Sequence, residues 1–134
     1  MKVVVDTNVL VSAFLKPRSN PAHILRLVLQ GDMQIIINEH ILAEYFEVLK
    51  RPRFDLAPDY IRTVLHIIRL KGIIAPALAQ SFRLPDMGDE PFLEAALSGK
   101  ADALITGNKK HFPKSLCKGQ KVLTPKEFLL ELSS

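Results

Sequence analysis

The strongest constraint on this chain is a repeated change of hydrophobic period. Short β-branched runs alternate with longer stretches in which apolar residues recur every three to four positions. Lys2 to Val5 reads as a buried strand ending in Asp6, and Val9 to Leu15 as a helix before the loop Lys16 to Pro21. Asn20 with Pro21 opens a helix that Gly31 stops after Gln30, and Met33 to Ile37 is a second strand. Asn38 caps a helix carrying Ile41, Leu42, Tyr45, Phe46 and Leu49 at helical spacing, ended by Pro52. Ile61, Val64, Leu65 and Ile68 mark the next helix, closed by Gly72, and Ile73 to Ala75 a short strand. After an irregular stretch over 76–87, Asp89 or Glu90 with Pro91 starts a helix. It carries Phe92, Leu93, Ala96 and Leu97 inward as far as Gly99. Ala103 to Thr106 and Lys121 to Leu123 are the last strands, and Thr124 with Pro125 opens a final helix packing Phe128, Leu129 and Leu132.

Strands separated by helices require parallel crossovers. The pattern therefore predicts an α/β fold of three layers, α/β/α, with helices on both faces of a central, mostly parallel sheet of four to five strands. Residues 1–134 read as a single domain, because that length supports one core and is too short for two. No apolar run approaches the ~20 residues of a membrane span. The start, MKVVVDTNVL, is interrupted by an acid and lacks a signal-peptide pattern. The single cysteine, Cys117, can form neither an internal disulfide nor a multi-cysteine zinc site, so the expected location is cytoplasmic.

Eighteen Lys and Arg against fourteen Asp and Glu give a formal charge of +4, a mild bias by itself. Its distribution is more informative. Lysines 109, 110, 114, 118 and 121, with His111, form a stretch without an acid, and Lys50, Arg51 and Arg53 follow a predicted helix. Such clusters are either solvated loops or phosphate-backbone contacts around an acidic site.

The topology says which acids can meet. In parallel α/β sheets, sites form beyond the carboxyl ends of the strands. Asp6 ends the first strand, and Thr106 and Asn108 close the Ala-Leu-Ile-Thr strand at the same edge. The helix before that strand runs antiparallel to it, which brings its start, with Asp89 and Glu90, to this edge as well. Glu44 borders the apolar face of its helix, whereas Glu47 points nearly opposite. Asp102 begins the Ala-Leu-Ile-Thr strand and is left behind by roughly 13 Å. Asp6, Glu44 and Asp89 are thus expected in one crevice. Converging carboxylates repel one another, and a hard divalent cation, Mg²⁺ or Mn²⁺, is the counter-charge that oxygen ligands suit. Each residue also has a plainer reading: Asp6 as a turn former, Glu44 as an ordinary helix flank, Asp89 as an N-cap, His111 as a surface or capping histidine, Asn108 as a turn residue.

Four segments taken in order, VVVDTNVLVSAFL (3–15), EHILAEYFEVLKRPRF (39–54), LPDMGDEPFLEAALSGKADALITGNKKHFP (84–113) and VLTPKEFL (122–129), make the sequence resemble the PIN domain family. Within it the likeness is to the branch of VapC-like toxins of toxin–antitoxin systems. The resemblance implies a parallel α/β sheet flanked by helices and metal-dependent endoribonuclease activity. It carries the family's first acid onto Asp6, its second onto Glu44 and its third onto Asp89. The family often has an aspartate where this chain has Asn108, so Asn108 is expected as a neutral variant ligand of the catalytic set. The branch also tends to a denser acidic run at 86–89, which makes Asp86 an auxiliary ligand.

On this reading Asp6, Glu44, Asp89 and Asp86 hold Mg²⁺ or Mn²⁺, and Thr7, Asn8 and Thr106 orient the ligands. Lys109, Lys110, His111 and Lys114 contact the RNA backbone. The resemblance further implies a small antitoxin as partner and a homodimer or higher homo-oligomer, with the exposed sides of helices around residues 38–70 as contact surfaces. Asn108 motivates the alternative, a catalytically weakened RNA-binding or partner-binding module. A phosphatase or phosphoryl-accepting use of Asp6 is disfavoured, because its haloacid-dehalogenase form needs a second aspartate where Asn8 stands and its receiver form needs neighbouring early acids.

Overall fold

Val3, Val4 and Val5 are almost wholly removed from solvent, as a strand covered on both faces must be. They form β1 (Lys2–Val5) at the centre of a five-stranded sheet in the computed structural model, which describes residues 1–78 and 83–134. The elements follow as α1 (Thr7–Leu15), α2 (Asn20–Gln30), β2 (Gln34–Ile37), α3 (Glu39–Leu49), α4 (Pro58–Lys71) and β3 (Ile73–Ile74). Then come α5 (Glu90–Ser98), β4 (Ala103–Ile105), β5 (Val122–Leu123) and α6 (Pro125–Leu132). The sheet order is β3-β2-β1-β4-β5 and every pairing is parallel, with Val3 opposite both Ile35 and Ala103, and Val5 opposite Ile105.

This order places the site. The chain leaves β1 and builds outward through β2 to β3, then crosses back through α5, which packs on β2, β1 and β4. Right-handed crossovers put helices on one face during the outward run and on the other during the return, giving the three predicted layers. Strand order reverses between β1 and β4, and the crevice beyond their carboxyl ends is where such folds bind ligands.

Boundaries differ from the sequence expectation where a polar side chain ends an element. Helix α1 begins at Thr7 rather than Val9, because Asp6 is its N-cap and accepts a hydrogen bond from Thr7 N at 2.8 Å. Ser19, one residue before the expected Asn20, caps α2 by accepting from Ala22 N. Gly31 closes that helix in the left-handed region at φ 87°. Asn38 caps α3 as expected, and Thr124 with Glu127 forms a reciprocal capping box on α6. Short 3₁₀ turns occupy Pro52–Phe54, Met87–Asp89, Lys109–His111 and Lys114–Leu116, where only loops were expected. Of the irregular stretch predicted over 76–87, residues 79–82 lie outside the described residues. Among the described residues no helix is long and apolar enough to cross a membrane.

Candidate active site

Asp6 is the hinge between β1 and α1. Its backbone N–H extends the ladder to Ile105 O, and its buried carboxylate takes Thr7 N on Oδ1 and the Thr106 hydroxyl on Oδ2, the latter at 2.8 Å. Thr106, fully buried at the end of β4, therefore ties the first acid to the neighbouring strand across the reversal point. Thr7 donates its own hydroxyl to Glu44 of α3. Asn8 accepts from Gly107 N at 3.2 Å, which holds the start of α1 against the turn after β4. The three residues expected to orient ligands thus all bridge the two segments that carry acids, or the turn beside them.

Asp89 stands at the N-cap position of α5 but caps nothing: its side chain makes no bond to the helix N–H groups. Oδ2 is buried and has no hydrogen-bond partner among the described residues. His111 Nδ1 stands 3.3 Å away, an ion-pair distance without the alignment of a hydrogen bond. Asp86 caps the 3₁₀ turn Met87–Asp89 through Gly88 N, on the same short loop. Asp102 lies at the opposite end of the sheet, where its carboxylate accepts from Lys2 N at 2.7 Å.

The acids feel one another. Burial pushes the Asp6 carboxyl above its ordinary range; the Thr106 and Thr7 hydrogen bonds pull it back, and the charge of Glu44 adds to the rise. The Asp89 carboxyl is pushed up to about 6, first by burial and then by the charge of Asp6, with Asp86 and Glu44 contributing and His111 opposing. Three segments far apart in sequence therefore share one negative field. A buried carboxylate oxygen without a donor, beside further carboxylates, is the donor chemistry that a hard divalent cation satisfies. Among the described residues no three His, Cys, Asp or Glu side chains stand together as a set that could hold a metal ion.

The structure gives Asn108 a different task from the one expected. Its side-chain oxygen accepts from Lys110 N at 3.1 Å and caps the turn Lys109–His111, so the turn-forming reading describes its geometry. That turn carries His111 towards Asp89, whereas the sequence reading set His111 among the phosphate contacts. Of the expected basic rim, Lys109 pairs with Glu127 and Lys121 with Glu131, while Lys110 and Lys114 make no ion pair among the described residues. The second cluster is partly spent on packing: Lys50 lies over the Phe46 ring, Arg53 over Phe54, and Arg51 pairs with Glu47.

One residue of this site escapes helical periodicity, which assigns Tyr45 to the core and stops there. Tyr45 is fully buried and donates its hydroxyl to Val5 O, the carbonyl just before Asp6. The available signal was the phenol itself, since a buried tyrosine hydroxyl needs an acceptor.

The PIN domain profile matches residues 2–110. The chain belongs to the PIN domain family. PIN domains are generally nucleases, and membership sets this one among hydrolases acting on nucleic acid. The fold is similar to that of a chain in the crystal structure of VapBC2 from Rickettsia felis bound to a DNA fragment from their promoter. The TM-score is 0.58 at 20% identity, covering 92% of this PIN domain chain and 97% of the other. At that identity the likeness is one of fold. Among curated proteins none matches this chain.

Proposed function

We propose that this PIN domain is a metal-dependent endoribonuclease that hydrolyses RNA phosphodiesters and acts as the toxin of a toxin–antitoxin pair. The observation that carries the metal is Asp89: a buried oxygen without a donor among the described residues, on a carboxyl raised to about 6 by burial and by the charges of Asp6 and Glu44. Asp6, Glu44 and Asp89 would hold Mg²⁺ or Mn²⁺, with Asp86 as auxiliary. When bound, such an ion lowers the pKa of a coordinated water and neutralises charge that develops on phosphate oxygens.

The chain's own residues prepare that chemistry. Thr106 and Thr7 hold Asp6 and Glu44 in fixed orientations through their hydroxyls. Lys110 and Lys114, exposed and unpaired among the described residues, hold the RNA backbone as phosphate contacts beside the acids. Asn8 fixes the turn after β4 that leads to Lys110. Purified protein should cleave single-stranded RNA in Mn²⁺, and Asp6→Asn should abolish cleavage. Equal cleavage by both proteins would refute the assignment.

A second reading, an RNA-binding or partner-binding module weak in catalysis, is favoured by Asn108 in place of an acid and by the lack, among the described residues, of three acidic or histidine side chains grouped to hold an ion. Calorimetry with Mn²⁺ at low salt separates the two, because this reading expects no uptake. The toxin role, with a small antitoxin as partner, is supported by the sequence resemblance and by the fold shared with VapBC2. A homodimer is supported by the groove of about 600 Å³ between α3 and α4, where Phe46 is exposed and Leu65 half-buried. Sedimentation of the purified chain tests it.

A further inference from the structure

We propose that His111 is the positioning residue of Asp89, acting through Nδ1, and that Asn108 serves by folding the turn that delivers it. The inference rests on the reading of Asp89 as a metal ligand and deepens it. Asp89 Oδ2 is buried without a hydrogen bond among the described residues, its side chain is 15% exposed, and His111 Nδ1 stands 3.3 Å away.

The position of His111 is not left to a free loop. Asn108 Oδ1 takes Lys110 N, Asn108 O takes His111 N at 3.1 Å, and Lys109 O takes Phe112 N at 3.0 Å, closing one 3₁₀ turn. Phe112, 2% exposed, anchors the far end of that turn in the core. The near end is tied to the other acids: Asn108 N donates to Thr106 Oγ1 at 3.1 Å, and that hydroxyl donates to Asp6 Oδ2. A continuous set of contacts thus runs from Asp6 through Thr106 and the turn to His111 and Asp89. Where a further acid would add negative charge to the crevice, this chain places a neutral cap and a nitrogen donor instead. His111 Nδ1 thus stands within ion-pair distance of Asp89 Oδ2, on a turn fixed at both ends.

An asparagine at 111 presents its amide nitrogen near the place of Nδ1, whereas a glutamine presents it near the place of Nε2. Calorimetry with Mn²⁺ alone should show His111→Asn within about threefold of wild type, and His111→Gln and His111→Ala weaker by roughly tenfold or more. Asn108→Ala should weaken Mn²⁺ binding too, but add nothing in the His111→Ala background, whereas a direct ligand would add its own loss there. In the metal-free protein the His111 imidazole nitrogen signals should shift on Asp89→Asn. Wild-type affinity in His111→Gln with loss in His111→Asn would overturn the proposal in favour of a phosphate contact through Nε2. Imidazole signals indifferent to Asp89→Asn would overturn it as well. Absence of Mn²⁺ uptake by wild type would instead overturn Asp89 as a ligand, with the contact itself still judged by the spectrum.

Discussion

The Thr106 hydroxyl donates to Asp6 Oδ2 at 2.8 Å, joining residues 100 positions apart at the one place where the strand order of the sheet reverses. The bond lies between the ends of β1 and β4, and both partners are buried. It orients a carboxylate that burial alone would favour in its neutral form.

Replacing Thr106 by Val keeps the shape and removes the donor. Asp6 Oδ2 then loses its partner, and so does Asn108 N. Urea denaturation should show a loss of about 1–3 kcal/mol, and Mn²⁺ affinity should fall roughly tenfold. A variant with wild-type values in both would show that the bond is incidental.

The Asp89 carboxyl, raised to about 6 from the 3.8 of an ordinary aspartate, makes the stability of the metal-free protein depend on pH. Between those values the folded state binds the proton and the unfolded state does not. Stability from this group is therefore complete below about pH 4 and is lost as pH rises to about 6. The melting temperature of wild type relative to Asp89→Asn should fall across that interval and run parallel above it. A gap that is constant from pH 4 to 7 would contradict the raised carboxyl.

Mutual repulsion among Asp6, Glu44 and Asp89 should be relieved by a divalent ion that binds only the folded state. At a free Mn²⁺ concentration about a hundredfold above its dissociation constant, linkage stabilises the fold by about 2.7 kcal/mol. A rise of several degrees in melting temperature is expected for wild type and none for Asp6→Asn. An equal rise in the two would place the ion elsewhere.

Tyr45→Phe leaves the ring in the core and deprives Val5 O of its donor next to Asp6. The expected cost is about 1–3 kcal/mol of stability, read by chemical denaturation. If the hydroxyl matters only to the core, cleavage by the folded variant will equal wild type. If it also steadies Asp6, cleavage will fall further than the stability loss explains.

The alternation of β-branched runs with helical periodicity was sufficient for a parallel α/β fold, because strands buried on both faces must be apolar throughout and must be joined by crossovers. The runs around Val3 to Val5, Ile35 to Ile37 and Leu104 to Ile105 carry that pattern without interruption. Polarity of connection also separated Asp6 from Asp102, which the structure places at opposite ends of the sheet. Side-chain choices between near neighbours were not legible. Asp89 occupies a capping position and does not cap, while Asn108, expected as a ligand, does. Local sequence favours both uses of each residue about equally, so a distant partner decides: the other carboxylates in one case, the amide of Lys110 in the other.

Chain order and hydrophobic period were enough to determine the layers, the parallel sheet and the edge at which the acids gather, since both follow from local preference and connectivity. The tertiary structure alone decided that His111 faces Asp89, that the Tyr45 hydroxyl serves Val5, and that Lys109 and Lys121 are neutralised by α6. Those outcomes depend on distances between segments that never meet until the core has packed. No property of the individual residues encodes them.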